Sequence, residues 1–448
     1  ALAVGKPSLP LQEEWQWTLL TDVARLETGH TPSRKHPEYW GGDIPWVGIK
    51  DATANHGGTL HKTNQYTNDL GIANSSARVL PTNTVCLSRT ASIGYVVVMG
   101  RPMATSQDFV NWICSDSLDF RYLKYVLLAE RESFLRFASG TTHQTIYFPE
   151  VKAFHAALPP IGAQWRIADT LSALDDRIDL LRQTNATLEA IAQALFKSWF
   201  VDFDPVRAKA AGREPEGMDA ATAALFPDTL EEWRHSISEH NVQSLLDAKV
   251  LSIGDGYRAK NSELGTPGVA FLRAGDLLGG RICPTRDLLS ESALAAAKGK
   301  VALAGDTVFT SKGTIGRFAF VPDINETVVY SPQVCYWRSL DMGVLAPEYL
   351  HYWMRSARFS IQVNRVRGNA AIMDFVSLGS QKAMSVDLPK PPIQRRFAEI
   401  VGPILKRVAI NSAQCDELTT LRDTLLPRLI SGKLRIPDAE SQLEDVRA

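Results

Sequence analysis

The chain has 448 residues, of which 45% are hydrophobic and 22% are charged, and its formal net charge is −1. This length predicts two or more globular domains that each bury a core, and no apolar run reaches the roughly eighteen residues that a membrane-spanning helix needs. The near-zero charge gives no whole-chain electrostatic argument for binding nucleic acid, although a basic surface is compatible with it if acidic residues collect elsewhere.

The five cysteines are odd in number and include no Cys-x-x-Cys pair. That pattern is typical of reduced thiols in a cytosol. The N-terminal residues Ala1–Pro7 contain no hydrophobic signal core. We therefore expect a cytoplasmic protein that has no membrane partner.

The first globular unit is predicted to span residues 11–158. Short apolar runs at Trp46–Ile49, Thr84–Ser88 and Gly94–Met99 predict strands, because residues typical of turns separate them. The helical spacing of apolar residues predicts a helix over Arg121–Arg136 that packs on those strands.

A long helix is predicted over residues 159–203. Its apolar residues are spaced by alternating threes and fours, which is a heptad seam that one helix cannot bury alone. About 37 helical residues would make a rod of about 55 Å at about 1.5 Å per residue. The seam consists of Ile167, Leu171, Leu174, Ile178, Leu181, Asn185, Leu188, Ala192, Leu195 and Trp199.

Residues 204–232 are predicted to be a linker, because Pro205 ends the helix and small polar residues typical of exposed connections follow it. The second globular unit, residues 233–388, repeats the first in outline. The matched segments are Leu80–Arg89 with Leu303–Lys312, Ile93-Gly94 with Ile315-Gly316, Phe109–Trp112 with Val334–Trp337, and Tyr122-Leu123 with Tyr349-Leu350.

A second long helix over residues 389–433 repeats the first, with Arg396 corresponding to Arg166 (396 − 166 = 230). Residues 434–448 follow it as a tail. We expect the two helices to pack against each other, and an internal duplication is the simplest account of the repeat. The second seam consists of Phe397, Val401, Ile404, Val408, Cys415, Leu418, Leu425 and Leu429.

These elements predict an α+β fold in which two mixed α/β domains are joined by two long helices. The helices form an intramolecular coiled coil, and the chain has an internal pseudo-twofold repeat. The two globular units differ more than the two helices do, which indicates one scaffold with two different surfaces. Two such units separated by a rod suit duplex DNA, which presents the same groove about every 34 Å.

From Trp15 to about Ile436 the chain resembles the specificity subunits of type I restriction–modification systems. The most specific motifs end the two long helices, at Leu195–Val206 (LFKSWFVDFDPV) and Leu425–Lys433 (LLPRLISGK). The predicted linker adds Gly217-Met218-Asp219 and Leu225-Phe226-Pro227.

The resemblance implies that each globular unit is a target recognition domain for one half of a split DNA site. It also implies that the two long helices pack as an antiparallel intramolecular coiled coil, which sets the distance between the halves. It implies double-stranded DNA, two modification subunits and restriction subunits as partners in a prokaryotic cell. S-adenosylmethionine, ATP and magnesium are expected in the partner subunits, and no cofactor is expected in this chain. The chain would be a non-catalytic subunit of a DNA methyltransferase and endonuclease complex.

The sequence lacks the motifs that catalysis would require. It contains no Gly-x-x-x-x-Gly-Lys-[Ser/Thr] phosphate loop and no Asn-Pro-Pro-Tyr or Asp-Pro-Pro-Tyr methylation motif. The pairs His56 and His61, and His235 and His240, do not share a helical face, so no metal site is predicted. Two alternatives stay open: a coiled-coil adaptor that does not read DNA, and a methyltransferase or nuclease with its own active site.

Candidate DNA contacts are basic and polar residues that follow strands or lie in loops. Arg89 and Lys312 follow matching strands and suit a guanine edge or a phosphate, but a solvated surface charge explains them equally well. Gln144 suits adenine. The full set is Lys50, Arg89, Thr141, Thr142, His143, Gln144, Arg258, Lys260, Arg273, Lys312, Arg367 and Asn369.

Three residues of the first long helix each have two predicted roles. A buried Asn185 would fix the register of the seam at some cost in stability, or it would lie where the seam opens to solvent. Its counterpart in the second helix is Cys415. Trp199 and Phe200 would either close the helix end or anchor a modification subunit, because aromatic residues are frequent interface hot spots.

Overall fold

The computed structural model of the protein describes residues 1–137, 145–283, 287–323, 326–369, 374–439 and 441. The candidate residues Thr141, Thr142, His143 and Gln144 lie outside the described residues, as does the side chain of Asn369. The chain divides into unit 1, which comprises Ala1–Ile178 and Glu417–Ala448, and unit 2, which comprises Asp179–Asp416.

Unit 1 contains short strands, six short helices and the start of the first long helix, within the described residues. The strands are β1 (Leu2–Val4), β2 (Gln16–Leu19), β3 (Ala24–Thr28), β4 (Trp40–Val47), β5 (Thr59–Leu60), β6 (Gln65–Thr67), β7 (Val85–Ser88), β8 (Val96–Met99), β9 (Ala104–Thr105), β10 (Phe109–Cys114) and β11 (Phe154–Leu158). The helices are α1 (Leu20–Val23), α2 (Ile49–Ala54), α3 (Asp69–Ala73), α4 (Phe120–Ala129), α5 (Arg131–Phe137), α6 (Phe148–Lys152) and α7 (Ile161–Lys197), and Pro37–Tyr39 is a 3-10 turn.

The main sheet of unit 1 has the strand order β3-β10-β7-β8-β5. Every residue of β7 and β8 is buried, because the apolar runs VCLS and VVVM are covered on both faces. One face packs against α4 through Tyr122, Leu123 and Val126. A second sheet, β6-β4-β9, and a third, β1-β11-β2, complete the unit.

The helix predicted over Arg121–Arg136 is two helices, α4 and α5. They are separated at Glu130, whose backbone angles of φ −103° and ψ 14° leave the helical conformation. Apolar spacing continues across this break, so the pattern alone predicted one helix. The predicted strand over Trp46–Ile49 likewise ends at Val47, since Ile49 is the first residue of α2.

Unit 2 contains the end of α7 and most of the second long helix. Its other helices are α8 (Asp204–Ala210), α9 (Ala220–Ala223), α10 (Leu230–Ser236), α11 (Val242–Asp247), α12 (Glu291–Leu294), α13 (Pro347–Met354), α14 (Ala357–Val366), α15 (Leu378–Lys382) and the second long helix α16 (Pro391–Ile430). The segment Ser198–Asp202 is a π-helical turn, and Asn261–Glu263, Ala274–Asp276 and Lys298–Lys300 are 3-10 turns. The strands are β12 (Ile237–Asn241), β13 (Leu251–Asp255), β14 (Gly268–Leu272), β15 (Leu277–Leu278), β16 (Arg281–Ile282), β17 (Leu288–Ser290), β18 (Thr307–Thr310), β19 (Phe318–Phe320), β20 (Val328–Tyr330), β21 (Val334–Ser339), β22 (Gly368–Asn369), β23 (Asp374–Phe375) and β24 (Ser385–Pro389).

The sheets of unit 2 repeat those of unit 1. The order β13-β21-β18-β19 matches β3-β10-β7-β8, and in each case neighbouring strands are antiparallel. The sheet β17-β14-β20 matches β6-β4-β9, because both combine one antiparallel and one parallel pair. The predicted duplication within an α+β fold is therefore confirmed.

A buried glutamine performs the same task at the start of each long helix. Gln164 donates to the carbonyls of Ser117 (3.1 Å) and Pro159 (3.0 Å) and accepts from the amide of Asp119 (3.0 Å). Gln394 makes the equivalent three bonds in unit 2, with Val344, Pro389 and Ala346. Each glutamine thereby fixes the helix entry to the loop that precedes α4 or α13, and leaves no buried amide atom unpaired.

The two long helices pack against each other within each unit. In unit 1, Leu171 and Leu174 of α7 share a core cluster with Leu425 and Leu429 of α16. In unit 2, the rings of Phe196 and Phe397 are 5.9 Å apart. The predicted helical pair is confirmed. Buried seam residues are Ile167, Leu171, Leu174, Ile178, Leu181, Ala192, Trp199, Phe397, Val401, Cys415, Leu425 and Leu429, and half-buried ones are Asn185, Leu188, Leu195, Ile404, Val408 and Leu418.

Asn185 faces Asn411 across the helical pair rather than its sequence counterpart Cys415. Asn411 Nδ2 donates to Asn185 Oδ1 at 2.8 Å, and Asn185 Nδ2 donates to the carbonyl of Val408 and to Ser412 Oγ, each at 3.2 Å. Because the helices are antiparallel, two residues that are equivalent in the sequence repeat do not have to lie at the same height along the pair and face each other. Asn185 is half-buried and bonded across the seam, and its role in fixing the register stays a prediction.

Part of the predicted linker belongs to the core of unit 2, although most of its residues are exposed. Val206 of α8 is fully buried, and Phe226 and Trp233 pack against it in the same cluster. Exposed residues are concentrated between Ala211 and Gly217, where Pro215 is the buried exception. Pro205 does not end the long helix: α7 ends at Lys197, the π-helical turn ends at Asp202, and Phe203 has a left-handed backbone with φ 60°. Pro205 lies in the first turn of α8, where its missing donor is tolerated.

Candidate nucleic-acid interface

The ends of several strands meet at one edge of unit 1. The amide of His30 donates to the Thr105 carbonyl (2.9 Å), that of Ser106 to the Val47 carbonyl (3.0 Å), and that of Arg89 to the Asp108 carbonyl (2.8 Å). These bonds join the loops that follow β3, β4, β7 and β9. We call the surface formed by residues 29–34, 48–50, 89–92 and 106–108 rim 1.

Unit 2 has the same edge, formed by the same bonds. The backbone amide of Tyr257 donates to the Tyr330 carbonyl (2.7 Å), that of Ser331 to the Leu272 carbonyl (2.9 Å), and that of Ser311 to the Gln333 carbonyl (2.9 Å). We call the surface formed by residues 256–260, 273–276, 311–314 and 331–333 rim 2. These three bonds between loops are equivalent to the three of rim 1.

One glycine in each rim allows the loops to approach closely. A Cβ atom on Gly29 would lie 2.0 Å from the Ser106 carbonyl oxygen, and one on Gly256 would lie 2.2 Å from the Ser331 carbonyl oxygen. No other residue fits at either position without moving the backbone of the adjacent loop. A glycine directly after the first strand of each main sheet is the sequence signal that could have located both rims.

The predicted match between Arg89 and Lys312 is wrong by one residue. Gly94 donates to the Ser88 carbonyl at 3.0 Å, and Gly316 donates to the Thr310 carbonyl at 3.1 Å, which sets the offset at 310 − 88 = 222. Arg89 therefore corresponds to Ser311, and Lys312 corresponds to Thr90. Ser88-Arg89 and Ser311-Lys312 resemble each other in sequence, but the hydrogen bonds of the turn make Ser88 equivalent to Thr310.

Arg89 lies in rim 1 and is half-buried. Its Nη2 donates to the Gln107 carbonyl at 3.3 Å, and the Gln107 side chain accepts a hydrogen bond from Thr31. Its Nε is buried and has no partner among the described residues. The guanidinium therefore retains donor capacity, and the role of Arg89 in contacting DNA stays a prediction.

Five of the remaining candidates lie in the two rims, and apart from Arg273 they differ mainly in exposure. Lys50 in rim 1, on α2, and Arg258 and Lys260 in rim 2 are exposed, whereas Lys312 is half-buried. Lys312 pairs through its backbone with Phe375 of β23. The structure thus places Arg258, Lys260 and Lys312 on one rim, and their DNA contacts stay predictions.

Arg273 differs from the other candidates because its charge is already paired. Its Nε forms an ion pair with Asp287, and its guanidinium lies 5.3 Å from the ring of Phe271. A contact with DNA would have to compete with that carboxylate. Arg367 is exposed and follows α14, and the backbone of Asn369 lies in β22.

Trp199 and Phe200, the candidate subunit anchors, lie in the core cluster of unit 2. Trp199 is 3% exposed, and its ring is 5.1 Å from that of Phe226 and 6.1 Å from that of Phe397. Trp199 therefore closes the helix end from inside the fold and presents no ring to a partner. Phe200 is half-buried, and the adjacent Val201 is 48% exposed.

The described residues contain no group of three or more His, Cys, Asp or Glu side chains that could hold a metal ion. Burial raises the pKa of the Cys86 thiol, and burial followed by the Asp119 charge raises the pKa of Cys114 to about 12. Neither thiol is a thiolate nucleophile at neutral pH. Within the described part of the chain, no helix is long and apolar enough to cross a membrane.

Residues 12–190 match the family model of the type I restriction modification DNA specificity domain. The chain is therefore similar to the specificity subunits of type I restriction–modification systems. The match includes most of unit 1, with rim 1, and the part of α7 that carries Asn185.

Two curated relatives extend the similarity beyond that domain. The chain is 27% identical to the specificity subunit of type I restriction enzyme MjaIX of Methanocaldococcus jannaschii, over 96% of this chain and 95% of that protein. It is 25% identical to the HindI specificity subunit of Haemophilus influenzae, over 75% of this chain and 84% of that protein.

One solved structure shares the fold over nearly the whole chain. The type I restriction–modification S subunit from M. genitalium has a TM-score of 0.58 and 17% identity, and the match covers 94% of this chain and 98% of that one. This similarity concerns the fold, and includes both units and both long helices.

Proposed function

We propose that this chain is the sequence-specific DNA-recognition subunit of a type I restriction–modification complex. Rim 1 and rim 2 each read one half of a bipartite site in duplex DNA. The pair of helices α7 and α16 sets the distance between the half-sites. The chain has no catalytic activity of its own and acts in the cytoplasm of a prokaryotic cell.

One observation carries this proposal: the two rims have the same backbone and different side chains. Through the shared hydrogen bonds, Gly48 corresponds to Arg273 and Thr90 to Lys312. The major groove distinguishes all four base pairs by donor and acceptor patterns. Two equivalent surfaces with unlike donors therefore suit two different base sequences, whereas an adaptor without a DNA role would need no such pairing of surfaces.

The chemistry belongs to partner subunits in this proposal. Two modification subunits bind the chain and methylate one adenine in each half-site with S-adenosylmethionine, and restriction subunits with ATP and magnesium complete the complex. The target adenine is flipped into a modification subunit, because a base cannot be methylated inside the stack.

The test is methylation mapping with the full complex. The chain and its modification subunits are produced in a host that lacks adenine methylation, and modified adenines are located by single-molecule sequencing of the host genome. We expect one bipartite motif with a spacer of constant length, and none when the chain is omitted. A motif without two separated halves, or the same motif without this chain, would refute the proposal.

A domain exchange tests whether each rim reads independently. The exchanged segment runs over residues 1–158, since β1 pairs with β11 in one sheet and the two strands have to be replaced together. Replacement by the same segment of another family member should alter one half-site only. Alteration of both halves would show that the two rims do not read separately.

A further inference from the structure

Arg34 lies in rim 1 and was not among the residues singled out by sequence. Its guanidinium carbon lies 4.6 Å from the ring of Trp40 and 5.4 Å from that of Trp46. The two rings meet edge to face at 5.2 Å. Trp46 is joined to the loop by a bond from its Nε1 to the His30 carbonyl at 3.1 Å. The side chain of Arg34 is therefore supported on a fixed aromatic platform.

The orientation of Arg34 is also constrained from the side. One terminal nitrogen, Nη2, donates to Gln65 Oε1 at 2.9 Å. Both residues are exposed, and the described residues place no ion-pair partner on Arg34. Arg273 in rim 2 is different, because its guanidinium is paired with Asp287. Arg34 thus presents a positioned guanidinium with unused N–H donors at the surface.

We propose that Arg34 is a specificity-determining residue that reads a guanine in the half-site of unit 1. This inference rests on the proposed function. Arginine recognises guanine through two parallel N–H donors to O6 and N7, and a fixed guanidinium plane is the requirement for that bidentate contact. Contact with the two indole rings restricts the guanidinium before DNA arrives, so little side-chain freedom is lost on binding.

A phosphate contact by Arg34 is the competing role, and it has a different signature. A residue that contacts phosphate weakens binding equally for all sequences and makes the salt dependence less steep when it is removed. A residue that contacts a base edge changes discrimination at one base pair. The aromatic platform favours the second role, because a phosphate contact needs charge but no fixed plane.

The experiment compares variants of the full chain in complex with its modification subunits. Arg34→Ala removes the guanidinium, and Arg34→Lys keeps the charge without the bidentate plane. Arg101→Ala is the matched control, because Arg101 is exposed and follows β8 at the opposite end of the main sheet from rim 1. Oligonucleotides of the mapped motif are methylated with each base pair changed in turn, and kcat/KM is measured.

Both Arg34 variants should lose about ten- to hundredfold of discrimination at one guanine–cytosine pair in the half-site that residues 1–158 control. Discrimination at every other pair, and in the other half-site, should stay as in the original chain and in Arg101→Ala. Thermal unfolding of each complex verifies that the variants are folded. Gln65→Leu should produce a smaller loss at the same pair, since it releases Arg34 without removing it.

Unchanged discrimination at all pairs, or an equal loss for all sequences with a flatter salt dependence, overturns the guanine contact. A half-site of unit 1 without guanine–cytosine pairs overturns it as well. Those outcomes leave the proposed function intact as long as the original complex methylates a bipartite motif. If the original complex methylates no such motif, the proposed function itself fails.

Discussion

Asn411 and Asn185 form a hydrogen-bonded amide pair across α16 and α7, with 2.8 Å between Nδ2 of the former and Oδ1 of the latter. Asn411 is fully buried, so this bond satisfies an Nδ2 donor that solvent cannot reach, whereas Asn411 Oδ1 has no partner among the described residues. Asparagine pairs on such seams favour one axial register over its alternatives. We therefore expect the pair to favour the register in which the two helices face each other in unit 2.

Asn185→Leu should destabilise the protein by about 1–3 kcal/mol, because it leaves the buried amide of Asn411 without its acceptor. The double variant Asn185→Leu with Asn411→Leu should recover most of that loss, since both amides are then replaced by apolar groups. Urea unfolding monitored by circular dichroism measures the free energy of unfolding of both variants. Gln183→Leu, at an exposed position of α7, is the control. A single variant as stable as the control would contradict the role of the pair.

Asp306 and Arg338 form a buried ion pair in unit 2. Arg338 donates from Nε and Nη2 to the two carboxylate oxygens at 2.6 and 2.7 Å. Tyr330 donates to the same carboxylate at 2.6 Å. Burial, followed by the charge of Asp306, raises the pKa of Tyr330, which therefore stays protonated.

Asp306→Asn should cost about 3–5 kcal/mol, because it leaves a partly buried guanidinium without its counter-charge. Combining it with Arg338→Met should restore part of the stability, since the unpaired charge is removed. Asp247→Asn makes the same charge change at an exposed position of α11 and should have little effect. Denaturant midpoints of the four proteins provide the comparison, and equal midpoints for Asp306→Asn and Asp247→Asn would contradict it.

His351 in α13 gives unit 2 a stability that depends on pH. Burial, followed by the charge of Arg355, lowers its pKa well below 6.5. Its Nε2 accepts from Arg355 Nη1 at 3.2 Å, and Arg355 is itself paired with Glu189 at 2.6 Å. The ring of Phe320 lies against the imidazole at 5.4 Å. The folded protein therefore holds this histidine neutral.

An unfolded chain binds a proton at His351 once the pH falls below about 6.5, and the folded chain does not, so stability decreases with falling pH in that range. His351→Gln should flatten this part of the stability curve. His235→Gln, an exposed histidine in α10, should leave the curve unchanged. Chemical unfolding at a series of pH values between about 5 and 8 records the slopes. Parallel slopes for His351→Gln and the original chain would contradict the prediction.

The heptad spacing of Leu171, Leu174 and Ile178 was sufficient to predict the helical pair, because burial of apolar residues dictates it. The contact between Asn185 and Asn411 could not be predicted, since it depends on the axial register of the two antiparallel helices. The one-residue error at Lys312 has a similar cause. Side-chain similarity aligned Lys312 with Arg89, whereas the backbone hydrogen bonds in the turn after β18 align it with Thr90.

The candidate site was likewise only partly predictable from the sequence. Basic residues near strand ends, such as Arg89 and Arg258, could be selected because strands of one sheet finish at a shared edge. Arg34 could not be, because its platform combines a loop residue with Trp40 and Trp46 of β4, and only the folded bulge in that strand brings them together. Sequence spacing contains no record of such a contact.

The proposed role of α7 and α16 in setting the half-site distance predicts the effect of lengthening them together. One heptad is inserted after Glu189 in α7 and another before Val408 in α16, so that the seam continues in phase in both helices. Seven residues add about 10 Å of helix at about 1.5 Å per residue. The spacer of the DNA motif should lengthen, by at most about three base pairs at about 3.4 Å each, while the bases read stay the same.

Methylation mapping of the lengthened complex measures the spacer directly. Inserting the heptad in α7 alone is the control, because it shifts the seam of one helix against the other and should destabilise the protein without defining a new spacer. A lengthened pair that methylates the original motif with its original spacer would show that the helices do not set the distance. A change of bases with a constant spacer would instead indicate that the insertion disturbed rim 2, and would equally contradict the proposed role of the helices.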